Sequence, residues 1–146
     1  PSLWPIIEKA DLLLTWNGDH FDIPILNKYY SGDLAKIPSL DLMNEVRNVI
    51  GRRLKLDTVA EATLGKNKTA DGFNAVDWWR KGEIEKIIKY CMEDVKITKE
   101  LYDYATTNNM LKYKDLGANG AIREIKLDTS KWEKKSDHAM TFTLPF

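Results

Sequence analysis

The stretch LLLTWNGDHFD, residues 12–22, decides the fold. Residues 12–16 form an uncharged apolar run with the length of a buried strand, as in a parallel sheet that is covered on both faces. Asn17-Gly18 predicts a turn, and apolar residues from 21 to 30 then recur at helical spacing. Strand, turn and helix make up the βα unit of an α/β fold. Because ligands of open α/β sheets bind beyond the carboxyl ends of the strands, the sequence places Asp22 at that edge.

Composition bounds the class of protein. The chain has 146 residues, which suits one domain, and its 43% hydrophobic and 30% charged residues exclude a disordered or collagenous chain. No apolar run approaches the ~18 residues of a membrane span, so we expect no membrane partner. One cysteine, Cys91, cannot form an internal disulfide, and this favours a cytoplasmic or otherwise intracellular location, in the nucleoid or nucleus. The net charge of zero argues against a protein that coats polyanions generally.

The remaining chain alternates short apolar runs with helical patterns. We expect a short strand within residues 37–42, followed by helices over 42–50 and 58–64 that end at glycines, the second capped by Asp57. The longest helix should run from Glu83 to about Thr107, with apolar residues on one stripe. Residues 121–127 alternate like an edge strand, and residues 141–146 suit a last extended piece. We therefore divide the chain into a domain, residues 1–110, and an extension, residues 111–146.

A second motif, Tyr90-x-x-x-Asp94, lies in that longest helix. Residues four apart share a helix face, so the phenol and the carboxylate point the same way. Each feature has a simpler interpretation when taken alone: Asp22 as a cap or first-turn residue, Tyr90 as an aromatic at the core margin, and Asp94 as a solvated acid. Asp41 is more simply a structural turn or cap acid than a metal ligand. Together and in this order, Asp22, Tyr90 and Asp94 favour a functional interpretation.

Four segments carry a family resemblance: LLLTWNGDHFDIPIL (12–26), SLDLM (39–43), LKLDTVAEATLG (54–65) and YCMEDVKITKELYDYA (90–105). In order, they resemble the 3′–5′ exonucleases with four acidic metal ligands and a tyrosine, the DEDDy type, which include polymerase proofreading domains and ribonuclease D relatives. The resemblance covers about three quarters of the chain. It implies a ribonuclease-H-like α/β fold, with a mixed central sheet flanked by helices.

The resemblance also implies two-metal hydrolysis of phosphodiester bonds at the 3′ ends of single-stranded DNA or RNA. Two Mg²⁺ or Mn²⁺ ions about 4 Å apart would activate water and stabilise the leaving oxygen. Asp22 and Asp94 match metal-binding catalytic positions, and Tyr90 matches the tyrosine that orients the water. Asn17 and Phe21 match substrate-contacting positions. A polymerase or helicase domain is the implied protein partner.

The sequence departs from the family at its first motif, Asp-x-Glu. None of the thirteen Asp residues has Glu two positions later. We therefore expect that the N-terminal strands, with half of the metal ligands, are missing from this chain, and that it binds metal weakly, has little activity and self-associates through an exposed sheet edge. The alternative is a non-catalytic module of the same fold that binds nucleic acid or docks onto a polymerase or helicase.

Two further features suggest nucleic-acid contact. Residues 47–68 hold six basic and two acidic residues, a net charge of +4, although a pair of solvated loops is an equal alternative. Trp78-Trp79 could stack on bases, while packing in the core or against a partner is the simpler interpretation. The candidate phosphate contacts are Arg52, Arg53, Lys55, Lys66 and Lys68.

Overall fold

The computed structural model describes residues 2–66 and 73–132. Helices and strands alternate over residues 4–50, further helices follow up to residue 108, and a pair of strands comes next. This mixture of helices and strands confirms the predicted α/β class. The elements are α1 (Trp4–Glu8), β1 (Leu13–Thr15), α2 (Asp22–Leu26), a 3₁₀ turn (Leu34–Lys36), β2 (Ser39–Asp41), α3 (Leu42–Ile50), α4 (Leu56–Leu64), α5 (Phe73–Arg80), α6 (Ile84–Asn108), β3 (Met110–Asp115), a second 3₁₀ turn (Leu116–Ala118) and β4 (Ala121–Lys126).

The strands of the described residues form two sheets of two strands each. β1 and β2 are parallel, and Thr15 lies opposite Asp41, so both strands end at the same edge. β3 and β4 form an antiparallel hairpin in which Leu111 lies opposite Ile125. The parallel pair confirms the predicted βα unit, and it places the loop after β1 beside the start of α3.

One hydrophobic core joins α3, α4 and α6 to both sheets. Its buried members come from β2, α3, α4, α6, the hairpin and the segment that follows it, and residues of β1 pack against them. Val46, Val59, Leu101, Leu111 and Ile125 have no exposed surface. Burial of such side chains stabilises a fold by roughly 1.5–3 kcal/mol each, so this cluster holds the elements in place.

The helix ends follow local signals, with one exception. α3 ends at Gly51 and α4 at Gly65, and both glycines adopt the left-handed backbone, with φ of 77° and 69°. The prediction that Asp57 caps α4 is wrong, because the helix begins at Leu56 and its N-cap is Lys55. Asp57 lies in the first turn instead, where its negative charge still favours the positive end of the helix dipole.

The apolar stripe of α6 is buried only along its C-terminal half. Ile97, Leu101 and Ala105 are in the core, and α6 packs against β1, α4, α5 and β3. In the N-terminal half the stripe faces solvent, and both Met92 and Val95 are strongly exposed. The bounds of α6 agree with the prediction from the sequence. No helix of residues 2–66 and 73–132 has both the length and the apolar character needed to cross a membrane.

Side-chain contacts attach the hairpin to the helices. Thr63 of α4 accepts a hydrogen bond from the backbone N–H of Lys112 at 2.8 Å, and its hydroxyl donates to the Lys112 carbonyl at 3.0 Å. Beyond β4, Trp132 stacks on Tyr102 with ring centroids 5.7 Å apart, and its indole N–H donates to Glu45 at 3.3 Å. Residues up to 132 thus share the core of the preceding elements. The division at residue 110 stays a prediction, and the expected strand at 141–146 lies outside the described residues.

Candidate functional site

Asp41 fixes the loop that follows β1. It is 3% exposed, and its Oδ1 atom accepts hydrogen bonds from the backbone N–H groups of Asn17 at 2.8 Å, Met43 at 3.0 Å and Asn44 at 3.4 Å. Its Oδ2 atom accepts one from the N–H of Asp19 at 3.2 Å. A carboxylate has about four lone-pair sites, so these bonds use most of its acceptor capacity. Asp41 is therefore a helix cap and loop clamp, as the simpler interpretation of the sequence held.

The clamped loop has a conformation that only certain residues adopt. Asn17 has a φ of 66°, in the left-handed region that Asn tolerates better than most side chains. Gly18 is buried, and a Cβ atom at this position would lie 2.4 Å from Cβ and Oγ1 of Thr15. Asp19 adds two contacts, accepting hydrogen bonds from the Ser39 hydroxyl at 2.8 Å and from the Asn44 amide at 3.2 Å. The sequence had not suggested Asp19 as a site-forming residue.

Asp22 emerges from this loop as the first residue of α2. Its side chain is exposed, yet its pKa is raised above the ordinary value of 3.8, mainly because nearby atoms desolvate the carboxylate and further because Asp41 is negative. A hydrogen bond from the backbone opposes this rise. The charged form of Asp22 is therefore less favoured in the folded chain than in water. A bound cation stabilises a carboxylate in such surroundings, since it favours the charged form.

Tyr90 and Asp94 lie one turn apart on α6, and both side chains are half-buried. The ring of Tyr90 meets the edge of Trp78 from α5, with centroids 6.1 Å apart. The Thr98 hydroxyl donates a hydrogen bond to the Asp94 carbonyl at 2.8 Å. α6 packs against β1, the strand that leads to Asp22.

The fit to a metal pair is partial. Asp22 and Asp94 offer the oxygen ligands that Mg²⁺ and Mn²⁺ prefer. Within residues 2–66 and 73–132, however, no three His, Cys, Asp or Glu side chains are grouped so that they could hold a metal ion. Two carboxylates do not suffice for two divalent cations, so the described residues do not by themselves fit the pair. The metal-binding and catalytic roles of Asp22, Tyr90 and Asp94 stay predictions.

Two of the predicted phosphate contacts, Arg52 and Lys66, pair with acidic residues of different elements. Arg52 lies over the Tyr113 ring, 5.6 Å from its centroid, and its guanidinium is 3.5 Å from Asp115 of the hairpin. Lys66 pairs with Glu100 of α6. Ion pairs of this exposure contribute little to stability, and they also do not prevent contact with phosphate. The other predicted residues are Arg53 and Lys55, which are exposed, and Lys68, which lies outside the described residues.

Two polar atoms at the end of β1 complete the description of the loop. Thr15 Oγ1 and Asn17 Oδ1 are buried without a hydrogen-bond partner in the part of the chain that the structure describes. Buried polar atoms usually have a partner, either in the protein or in an ordered water or ligand. Phe21, the other predicted substrate contact of this loop, is 59% exposed. The end of β1, where the sequence predicted the site, and the loop that follows it thus hold two buried polar atoms and one exposed aromatic ring.

Comparison with known proteins identifies the superfamily of the chain. A family model of the RNase H superfamily matches residues 2–106, and this match confirms the expected ribonuclease-H-like fold. The chain is 29% identical over 122 residues to a DNA polymerase of Pyrococcus glycovorans, in an alignment that covers 64% of this chain and 16% of the polymerase. It is 31% identical over 124 residues to a DNA polymerase of Thermococcus aggregans, covering 64% of this chain and 7% of that protein. The chain thus spans a small fraction of the length of these relatives. No solved structure matches it significantly.

Proposed function

The chain belongs to the RNase H superfamily, and from this premise we propose that it acts as a 3′–5′ exonuclease domain of the DEDDy type. Its substrates would be the 3′ ends of single-stranded DNA or RNA. The similarity to two DNA polymerases supports a nucleic-acid substrate and suggests work beside a polymerase or helicase domain. An RNase-H-like nuclease of this kind generally uses divalent metal ions, so Mg²⁺ or Mn²⁺ is the proposed cofactor.

One observation carries the proposal: α6, the helix of Tyr90 and Asp94, packs against β1, the strand that leads to Asp22. The Asp41 carboxylate holds the loop that connects β1 to Asp22. In the proposed role, Asp22 and Asp94 bind cations and the Tyr90 phenol orients the attacking water by a hydrogen bond. The bound cations would supply charge neutralisation and water activation. The family's Asp-x-Glu pair, which would complete such a ligand set, is not present among these 146 residues.

Hydrolysis of a single-stranded oligonucleotide by the protein as its gene encodes it tests the proposal. With a label at the 3′ end, we expect labelled mononucleotides to be released first, and EDTA should abolish the reaction. Asp94→Asn should remove activity, and Tyr90→Phe should lower it by about 10- to 100-fold, the usual effect of losing an orienting partner. Asp103→Asn is the matched control, because Asp103 is an exposed acid of α6 that pairs with Lys99. Equal activity of Asp94→Asn and the wild-type protein would contradict the assignment.

A non-catalytic nucleic-acid-binding or docking module is the second candidate. It is favoured by the lack of Asp-x-Glu in the 146 residues and by the lack of a three-ligand group in the described part of the chain. Under this proposal the encoded protein binds single strands equally well with EDTA or Mg²⁺ and releases no nucleotides. Asp94→Asn would then leave the dissociation constant unchanged.

A further inference from the structure

The last turn of α5 carries two adjacent tryptophans with different surroundings. Successive residues of a helix point about 100° apart, so the two indoles face different directions. Trp78 is half-buried and contacts Tyr90. Trp79 is 70% exposed. Of the two interpretations of the sequence, packing applies to Trp78, which contacts other residues of the protein. A contact surface applies to Trp79, whose large aromatic ring faces solvent.

Positive charge follows this exposed indole directly. Arg80 and Lys81 are both exposed. The backbone holds this segment in a defined turn, in which the Gly82 N–H donates to the Trp79 carbonyl at 3.1 Å and the Glu83 N–H donates to the Trp78 carbonyl at 2.8 Å. Proteins that bind single strands without strong sequence preference combine aromatic platforms with cationic side chains along the backbone.

We propose that Trp79, Arg80 and Lys81 form a subsite for single-stranded nucleic acid, in which a base stacks on Trp79 and phosphates contact the two cations. The inference rests on the proposed function and names a substrate contact for it. Trp78 joins the subsite to the proposed catalytic position, because it touches Tyr90 and is the chain neighbour of Trp79. The proposed subsite thus lies on the helix turn that packs against the proposed catalytic position.

A protein partner is the competing occupant of this surface. Val76 of α5 and Ile84 of α6 are exposed apolar side chains near the same turn. The two consecutive cations and the contact between Trp78 and Tyr90 favour a polyanionic strand over an apolar protein surface. Nucleic acid is therefore the occupant to which the proposal commits.

Fluorescence anisotropy of labelled dT12 in EDTA measures the subsite without hydrolysis. Trp79→Ala should raise the dissociation constant by about 5- to 150-fold, as expected for loss of one base stack. Trp79→Phe, which keeps a ring for stacking, should stay within about 5-fold of the wild-type chain. Leu116→Ala is the matched control, because Leu116 is an equally prominent side chain, 80% exposed, in the turn of the hairpin.

Two further readouts separate stacking from a structural effect. The wild-type chain should prefer dT12 to an abasic strand of the same length, and Trp79→Ala should lose this preference. Replacing Arg80 and Lys81 with Gln should reduce the salt dependence, the slope of log K against log salt, by about 1.4, since each phosphate contact on a single strand contributes about 0.7. An unchanged slope would overturn the assignment of the two cations.

The outcomes distinguish this inference from the proposed function. If the chain binds dT12 and Trp79→Ala binds equally well, the subsite is refuted, while metal-dependent hydrolysis by the encoded protein can still support the nuclease. If neither dT12 nor rA12 binds at about 100 μM protein, the subsite is also refuted. If binding weakens as predicted but no metal releases nucleotides, the subsite stands and the non-catalytic module replaces the nuclease.

Discussion

Replacing Asp41 with Ala should be among the most destabilising changes at this site. The side chain is 3% exposed and accepts four backbone hydrogen bonds from two separate segments. A hydrogen bond to a charged group contributes roughly 1.5–3 kcal/mol, and loss of a helix cap costs about 1 kcal/mol. The bonds are not additive, and water can reach the exposed Asp19 once the carboxylate is gone. We therefore expect the free energy of unfolding to fall by about 3–5 kcal/mol.

Asp41→Asn should cost less because it keeps the shape and one acceptor oxygen. With its oxygen at the Oδ1 position, the amide still accepts from Asn17, Met43 and Asn44, but its NH₂ group then faces the N–H of Asp19. The lost bond and the lost charge should cost about 1–3 kcal/mol. Asp33→Asn is the control: Asp33 is exposed and accepts one bond, from the Ala35 N–H at 3.0 Å. Its replacement should change stability by less than about 0.5 kcal/mol.

Urea denaturation followed by far-ultraviolet circular dichroism measures these differences. The order of loss should be Asp41→Ala, then Asp41→Asn, then Asp33→Asn, with similar denaturant slopes. In Asp41→Asn, which should remain folded, amide hydrogen exchange at Asn17 and Asp19 should accelerate more than exchange in the core of α6. If Asp41→Ala unfolds within about 0.5 kcal/mol of the wild-type chain, the loop is held by something other than this carboxylate.

Two other predictions concern the same loop. Gly18→Ala should destabilise the chain by about 1–3 kcal/mol, because the new Cβ would lie 2.4 Å from Thr15. The control in thermal unfolding is Gly117→Ala, whose new Cβ would lie 3.4 Å from its nearest neighbour. Equal effects of the two substitutions would refute the close approach at Gly18. The pKa of Asp22 should lie above 3.8 in a carboxyl-carbon NMR titration, and a value at or below it would contradict the described surroundings. Because the folded chain then holds the Asp22 proton more tightly than the unfolded chain, ionisation of Asp22 lowers the stability of the wild-type chain as pH rises above 3.8. Asp22→Asn should therefore be more stable than the wild-type chain at pH 7, by less than about 1 kcal/mol because the group is exposed. Below pH 3.8 the variant should have no such advantage.

Local signals explain what the sequence could predict. A continuous apolar run gave β1, a left-handed glycine ended α3, and a long apolar stripe gave the bounds of α6. These features depend on neighbours within a few residues, so a pattern reveals them. The start of α4 was mistaken because Asp57 suits both a cap and a first turn, and only the backbone angles of Lys55 distinguish these positions.

Features formed between distant segments could not be predicted in the same way. The clamp needs Asp41 to meet Asn17, and these residues are 24 positions apart. Thr63 meets Lys112 across 49 positions, and no local pattern marks either partner. The burial of only one half of the α6 stripe likewise depends on which elements pack against it. The sequence therefore predicted the helices that carry Asp22, Tyr90 and Asp94, while the surroundings of these residues depend on the fold.

Asp41 and Asp22, the two acidic residues near β1, have different roles in the proposed site. Asp41 is buried and already surrounded by donors, so a cation would have to displace hydrogen bonds that hold the loop. Asp22 is exposed, and partial desolvation together with the negative charge of Asp41 raises its pKa, so a bound cation would favour its charged form. Asp41 should thus serve the site by position, and Asp22 by coordination. On this basis Asp41→Asn should weaken activity only as far as it loosens the loop, whereas Asp22→Asn should abolish metal-dependent hydrolysis while leaving the fold intact.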